Sequence, residues 1–382
     1  MSTINKITVL GSGIMGHGIA QVSATAGYNV ILRDIDQSFL DKAMEKIRWS
    51  LNKLVEKQKI TNDQADTIVR RISPVVDIQE ALRDTDMVIE AVPEDIDLKR
   101  KVYEELNKYS QSITIFASNT STLPITEMGE LTNRPEHFIG LHFFNPPQLM
   151  QLVEVIPGNL TNKHIIDTAI EYVLRIGKQP IVCKKDVVGF LVNRIFIPLV
   201  HEAAYCQDRD QASILQIDSA VKFKMALPMG IFELADYTGL DVIHKATMEM
   251  YSRDKAAINP HPKIKQLFDE GNLGQKTGRG FYDYRGDKYQ RINLTVEEAE
   301  NYDPINLIAV AANCAAWLLS NEVCDKEDLE KALKLGMGLK EKLFETVERF
   351  GIKKIVNRLV ELEKKYGSFY QPNSYLLNYN KS

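Results

Sequence analysis

From Lys6 to about Lys185 the chain alternates apolar runs of strand length with stretches at helical spacing, and this alternation narrows the possible folds more than any other feature. The runs are ITVLG, NVILRD, MVIEAV, TIFASN, FIGLHFF, LVEVI and PIVCK. Between the early ones lie a helix over Ile14 to Ala26, a long helix from Ser38 and one further helix. Strands separated by helices of ten or more residues pair in parallel, because the crossover brings the chain back in the same direction, so a doubly wound α/β sheet is expected. FIGLHFF and LVEVI are joined by a short Asn-Pro-Pro loop with no room for a crossover helix, which predicts an antiparallel extension of the sheet.

Past Gly189 the strand signals vanish. Ala, Leu, Met, Lys and Glu dominate at helical spacing, broken at Pro228 and Pro260, and the second half reads all-α. It also repeats itself at a spacing of 112: Ile217, Ala220, Val221, Lys222, Met225, Leu227, Phe232, Glu233 and Gly239 align with Leu329, Ala332, Leu333, Lys334, Met337, Leu339, Phe344, Glu345 and Gly351. A gapless register that includes Met, Phe and Gly favours duplication over chance matching of common helix residues. The expected organisation is an α/β Rossmann-type domain over 1–186, a helical domain over 187–287 and a second, degenerate copy over 288–382. The polar stretch from about Arg285 to Pro304 would serve as linker.

With 382 residues the chain has ample core for two or three domains. Lys plus Arg number 47 against 51 Asp plus Glu, so no basic excess points to nucleic acid. No apolar stretch approaches membrane-spanning length and the start lacks a signal-peptide pattern, which together predict a cytoplasmic protein with no membrane partner. Cys183, Cys206, Cys314 and Cys324 lie far apart without CxxC spacing, so single reduced thiols are expected rather than a zinc site, and no metal is expected.

Gly11-Ser12-Gly13-Ile14-Met15-Gly16 follows the strand ITVL and opens a helix, and Asp34 ends the next strand 23 residues after the first glycine. In a dinucleotide-binding turn the first glycine makes the bend, the second admits the pyrophosphate, and the third lets helix pack on strand. The helix N-terminus supplies N–H groups and a positive dipole end. A carboxylate at Asp34 would accept the ribose hydroxyls and repel a 2′-phosphate, favouring NAD, although Arg33 beside it leaves NADP open. His17, just after the loop, reads as a helix-start residue without a catalytic part.

His142 lies inside the apolar strand GLHFF, and Glu154 lies in QLVEVI, the strand expected beside it. Imidazole titrates near neutrality, and a carboxylate on one ring nitrogen fixes the tautomer and stabilises the imidazolium, so the pair can take a proton from an alcohol. A lone strand histidine is more often a satisfied core residue. A Glu among Leu, Val and Ile is harder to explain that way, because an unpaired buried carboxylate costs several kcal/mol. Ser118-Asn119-Thr120-Ser121 ends the strand TIFAS, at the edge where doubly wound sheets bind ligands; the alternative is an N-cap cluster for a helix at Ile125. Ser50 and Lys57 are two helical turns apart on one face, which composition alone reads as a solvated surface.

Taken together, GSGIMGHGIAQ, the Asp34 position, SNTS, GLHFFNPP, LVEVI, GFLVNR and GQKTGRGFYDY resemble the L-3-hydroxyacyl-CoA dehydrogenase family, over roughly residues 5 to 285. The resemblance implies NAD-dependent, reversible oxidation of a 3-hydroxyacyl-CoA to the 3-ketoacyl-CoA. By position it implies His142 as base, Glu154 as its orienting partner, Ser121 as the hydroxyl meeting substrate oxygen and cofactor, and Asn193 as the amide near the reacting group. It implies cofactor contacts from Gly11, Gly13, Ile14, Met15, Gly16, Asp34, Glu94, Lys99, Asn145 and Lys276. Ser50 and Lys57, together with Ser121, take substrate-binding positions, which overrides the bland reading of that helix face. Short relatives dimerise through the helical domain, so the extra copy, with Ile305 where Asn193 would align, implies a monomeric pseudo-dimer. Relatives acting on free hydroxy acids, such as gulonate dehydrogenases, and cofactor-binding lens crystallins are the alternative readings.

Overall fold

The computed structural model describes residues 4–254, 257–286 and 291–379. The chain forms two compact units, Met1–Asp186 and Val187–Ser382.

The first unit is built on one eight-stranded sheet. Its strands are β1 (Lys6–Leu10), β2 (Asn29–Arg33), β3 (Ile72–Val75), β4 (Met87–Glu90), β5 (Ile115–Ser118), β6 (Phe138–Phe143), β7 (Leu152–Pro157) and β8 (Gln179–Val182). The order is β3-β2-β1-β4-β5-β6-β7-β8. β1 to β6 pair in parallel, β6 and β7 antiparallel, and β7 and β8 in parallel again. β4, β5 and β6 are buried at every residue, as expected where helices cover both faces of a parallel sheet.

The reversal of strand order between β1 and β4 leaves a crevice beyond their carboxyl ends, where doubly wound sheets take ligands. Helix α1 (Ile14–Thr25) starts there, and α2 (Gln37–Glu56) follows β2, with Asp36 accepting from the Ser38 N–H as its cap. β3 has no counterpart among the sequence-read strands. Its ISPV sequence carries Ser73 and Pro74, and it is an edge strand, the one place where a ladder tolerates a residue without an N–H.

Val187–Ser382 is helical, with only two isolated bridges, both around Arg279, among its described residues. Four helices, Asn193–Asp210, Ile214–Lys224, Ile231–Thr238 and Leu240–Arg253, are followed by Ile305–Ser320, Lys326–Gly336, Leu343–Phe350 and Ile352–Tyr366. Each of the second four begins 112 positions after its counterpart, and the two leading helices pack on each other. Ile217 and Leu329, Ala220 and Ala332, and Phe232 and Phe344 occupy matching core positions. Gly239 (φ +102°) and Gly351 (φ +91°) join the third helix to the fourth in each set, a conformation that favours glycine.

The helix-end chemistry also recurs. Asp218 accepts the Phe232 and Glu233 N–H groups at 2.8 and 3.0 Å, and Glu330, at the matching position, accepts those of Leu343 and Phe344 at the same two distances. Among the described residues, a second buttress is found in the first set. Asp236 accepts the Phe281 and Tyr282 N–H groups and the Tyr284 hydroxyl, and the Tyr282 hydroxyl reaches Asp218 at 2.8 Å. The GRGFYDY segment is thus a clip across the first four helices.

The stretch read as a linker contains a short helix, Val296–Glu300, capped by Thr295. The expected boundary at 287/288 lies outside the described residues. None of the four cysteines is in a disulfide, and Cys183, Cys206 and Cys324 are buried.

Candidate active site

The glycine loop has the division of labour its spacing predicts. Gly11 has φ +89°, and a Cβ there would sit 2.6 Å from the Ala91 carbonyl oxygen; one at Gly16 would overlap the Gly11 carbonyl. At Gly13 a Cβ would meet nothing within 4 Å, so this is where the loop leaves room for a ligand. No side chain caps α1 at Gly13, and its first turn carries no acid, so N–H groups and dipole remain available to an anion. His17 turns its Nδ1 back to the Gly13 carbonyl oxygen at 2.6 Å, a helix-start role.

Asp34 closes the loop. Its Oδ2 accepts both the N–H and the hydroxyl of Ser12 at 2.7 Å, and its Oδ1 accepts the Ile35 N–H. Ile14 and Ile35 stand largely exposed beside these groups. An uncapped helix start, an open glycine, a carboxylate at the strand end and an apolar flank together fit a dinucleotide with free ribose hydroxyls.

His142 and Glu154 face each other directly in the β6–β7 register. On antiparallel strands a directly opposed pair brings the side chains together. Nδ1 donates to Glu154 Oε2 at 2.6 Å, with Glu154 fully buried and His142 only 4 % exposed. A carboxylate that only accepts fixes the proton on Nδ1 and leaves the Nε2 lone pair as the basic position. The ring is braced by Phe144, 4.6 Å between centroids, and the end of β6 is tied to β5 where the Phe143 N–H donates to Asn119 Oδ1.

The SNTS segment does not cap the helix Ile125–Glu130, whose N-cap is Pro124. It wraps a carboxylate instead. Glu94 accepts the Ser121 and Thr122 N–H groups and the hydroxyls of Thr120 and Thr122. Lys99 Nζ is 3.0 Å from Glu94 and 2.9 Å from both oxygens of Glu90, and Glu90 also accepts from Tyr103, Ser118 and the Val92 N–H.

Burial alone would raise the Glu94 carboxyl, but Lys99 and the hydrogen bonds outweigh it and hold the pKa below the ordinary value. Burial likewise lowers Lys99, and the two glutamates more than reverse this. Lys99 is therefore a strut that fixes Glu94, which fixes the backbone of Ser121.

Glu90 and Asn119 are the residues that reading the sequence missed as organisers. The signal was present for Glu90, since a carboxylate ending the apolar run MVIE raises the same question as Glu154 in LVEVI.

Ser50 is half-buried on the last turns of α2 and accepts from Gln21 Nε2 at 3.0 Å; Lys57, just past the helix, and Asn145, after β6, are exposed. In the helical unit, half-buried Asn193 opens the helix Asn193–Asp210, and exposed Lys276 pairs with Asp241. No cluster of three or more His, Cys, Asp or Glu able to hold a metal exists among the described residues.

Residues 6–187 match the family described as 3-hydroxyacyl-CoA dehydrogenase, NAD binding domain, and residues 189–284 match 3-hydroxyacyl-CoA dehydrogenase, C-terminal domain. The chain is 40 % identical over 290 residues to the mitochondrial hydroxyacyl-coenzyme A dehydrogenase of Sus scrofa, covering 74 % of this chain and 92 % of that protein. It is 38 % identical to a 3-hydroxybutyryl-CoA dehydrogenase of Bradyrhizobium diazoefficiens, over 75 % of this chain and 98 % of that one. Among solved structures it resembles a 3-hydroxybutyryl-CoA dehydrogenase from Escherichia coli, with a TM-score of 0.87 and 26 % identity over 99 % of this chain and 98 % of that chain. With the glycine loop, Asp34 and the His142–Glu154 pair in the places the chemistry requires, the chain belongs to the 3-hydroxyacyl-CoA dehydrogenase family and is an NAD-dependent oxidoreductase.

Proposed function

We propose that His142 is the base that takes the proton from the 3-hydroxyl of an acyl-CoA, and that Glu154 orients it and stabilises the imidazolium formed. The observation that carries this is the 2.6 Å contact between two buried side chains on directly opposed strand positions. NAD, when bound, supplies the hydride acceptor for C3. The glycine loop and the start of α1 would hold its pyrophosphate, Asp34 its adenosine ribose, and Glu94, Asn145 and Lys276 the nicotinamide half, with buried Lys99, expected from the sequence as a cofactor contact, acting through Glu94. Ser121, its backbone fixed by Glu94, and Asn193 would hold the substrate oxygen. Ser50 and Lys57 would meet the anionic CoA moiety, a role that suits a point charge on a flexible stem.

The matched helix positions and the paired caps at Asp218 and Glu330 support reading 187–287 and 288–382 as tandem copies, the second serving as a covalent stand-in for a dimer partner. Light scattering should then find a monomer, and a dimer would contradict it. No helix among the described residues is long and apolar enough to cross a membrane; a cytoplasmic location, testable by fractionation, completes the proposal.

The reaction is tested by following NADH absorbance with acetoacetyl-CoA and with acetoacetate. Oxidation of NADH by the thioester alone is expected. Turnover of the free acid, or of neither, would overturn the assignment.

A further inference from the structure

Helix α2 carries more on its exposed side than Ser50 and Lys57. At about 100° per residue, Phe39, Lys42, Lys46, Trp49, Ser50 and Lys53 fall within an arc of roughly 100°, and Lys57, just past the helix, continues the line. No Asp or Glu lies in this arc; Glu45 and Glu56 border it on the side away from Ser50. Lys53 reaches Glu56 at 2.7 Å, while Lys42, Lys46 and Lys57 have no ion pair among the described residues. Trp49 is 65 % exposed, with no ring or cation packed on its face among the described residues.

The stripe has a definite place in the sheet unit. Ser50 accepts from Gln21 of α1. Near the start of α1, the His17 pKa is lowered by burial, raised by the contact with the Gly13 carbonyl oxygen, and lowered again by the charge of Lys46. The lysines therefore run alongside α1, next to the glycine loop.

A single exposed indole needs no explanation on an ordinary surface. Here it stands next in sequence to a residue proposed to meet CoA, on a face with three unpaired lysines. Coenzyme A ends in an adenine flanked by a 3′-phosphate and a diphosphate, so its head is an aromatic ring surrounded by anions. An indole among lysines is complementary to that head: the ring face accepts a stacked base and the ammonium groups supply point charges for phosphate.

We infer that Trp49 is the platform for the adenine of the acyl-CoA and that Lys42 and Lys46 take its phosphates, so that this chain discriminates CoA thioesters from thioesters without a nucleotide. This rests on the acyl-CoA reading above and adds to it residues that recognise the carrier rather than the reacting carbon.

The test compares initial rates of NADH oxidation with acetoacetyl-CoA and with acetoacetyl-pantetheine, which has the same reacting group and no nucleotide. Trp49→Ala should raise KM for acetoacetyl-CoA about tenfold at unchanged kcat and leave KM for acetoacetyl-pantetheine where it was. Trp49→Phe, which keeps a ring face, should recover most of the loss. Lys42→Gln combined with Lys46→Gln should raise the same KM and flatten its dependence on salt. In Trp317→Phe, where Trp49 is the one remaining tryptophan, the fluorescence of the indole should change on addition of CoA and not of pantetheine. A Trp49→Ala variant whose KM values for the two thioesters move equally or not at all, or an indole that does not distinguish CoA from pantetheine, overturns the platform while leaving the dehydrogenase reading intact. Failure of the wild type to oxidise NADH with acetoacetyl-CoA overturns both.

Discussion

Apart from the buried Glu202–Arg209 pair of the helical unit, 3.1 Å apart, the two units hold their buried carboxylates in different ways. In the sheet unit, buried ionisable groups converge on the carboxyl ends of the strands and are paired: Lys99 with Glu90 and Glu94, His142 with Glu154. In the helical unit, Asp218 and Asp236 are buried with no cation among their hydrogen-bond partners, held by backbone N–H groups and tyrosine hydroxyls. The first arrangement builds a site, since each paired group holds its partner in one orientation. The second ties helix ends together, where a carboxyl serves as an acceptor whether or not it is ionised. Function is thus concentrated in one set of buried charges and stability in the other.

The largest effect is expected at His142. His142→Ala should lower kcat by about 10²- to 10⁴-fold, the usual contribution of general base catalysis, while NAD affinity stays near the wild type. A variant that keeps full turnover, or one that fails only by unfolding, would place His142 with the structural charges.

The pH dependence of stability separates the units next. Burial raises Asp218 to about 7 and Asp236 to about 6, and it raises Glu202 to about 7 against the pull of Arg209. Carboxyls with raised folded pKa values bind protons more tightly when folded. Their stabilisation is complete below the ordinary range and is lost as pH rises through about 6 to 7. Glu94, held below its ordinary value of 4.5, contributes stability that is present above that value and lost only as pH falls through its lowered folded pKa. Between pH 5 and pH 8 these carboxyls should therefore weaken the helical unit, on the order of 1.4 kcal/mol per pKa unit; buried His201, lowered to about 3, offsets part of this below about pH 6.5, and Glu94 contributes no change. The two tryptophans, Trp49 and Trp317, fall one in each unit, so urea unfolding of single-Trp variants reads the units separately. Equal slopes in both would erase the contrast.

Within the helical unit, Asp218→Ala should cost roughly 3 kcal/mol and Glu330→Ala roughly 2 kcal/mol. The first strands two N–H groups and the Tyr282 hydroxyl, the second only two N–H groups. Urea midpoints followed through Trp317 check the order, and a larger loss at Glu330 would reverse it. The smallest effect is at the cofactor loop. Asp34→Ala removes the carboxylate expected at the adenosine ribose and should shift the NAD to NADP ratio of kcat/KM by about tenfold toward NADP, as expected for loss of a hydrogen bond near 1.4 kcal/mol. An unchanged ratio would mean that Asp34 serves only to hold Ser12.

Much of this was legible in the residues because single positions were decisive. The glycine spacing dictated backbone geometry, the Asn-Pro-Pro loop dictated antiparallel pairing, and Glu154 among aliphatic residues demanded a partner. β3 was not legible, since Ser73 and Pro74 argue against a strand unless its edge position is known. The short helix Val296–Glu300 was hidden in a polar stretch, although Thr295 followed by Val-Glu-Glu is a cap signal. The role of SNTS required knowing that Glu94, 27 residues before Ser121, comes back to meet it, which no local pattern records.

The most direct test of the central claim is kcat for acetoacetyl-CoA reduction by Glu154→Gln. An amide keeps the shape of the side chain and its hydrogen bond to the ring but cannot stabilise the imidazolium. Turnover should fall at least about a hundredfold at neutral pH, with the NADH dissociation constant unchanged. An unaltered rate would show that the buried pair is a piece of core rather than the centre of the reaction.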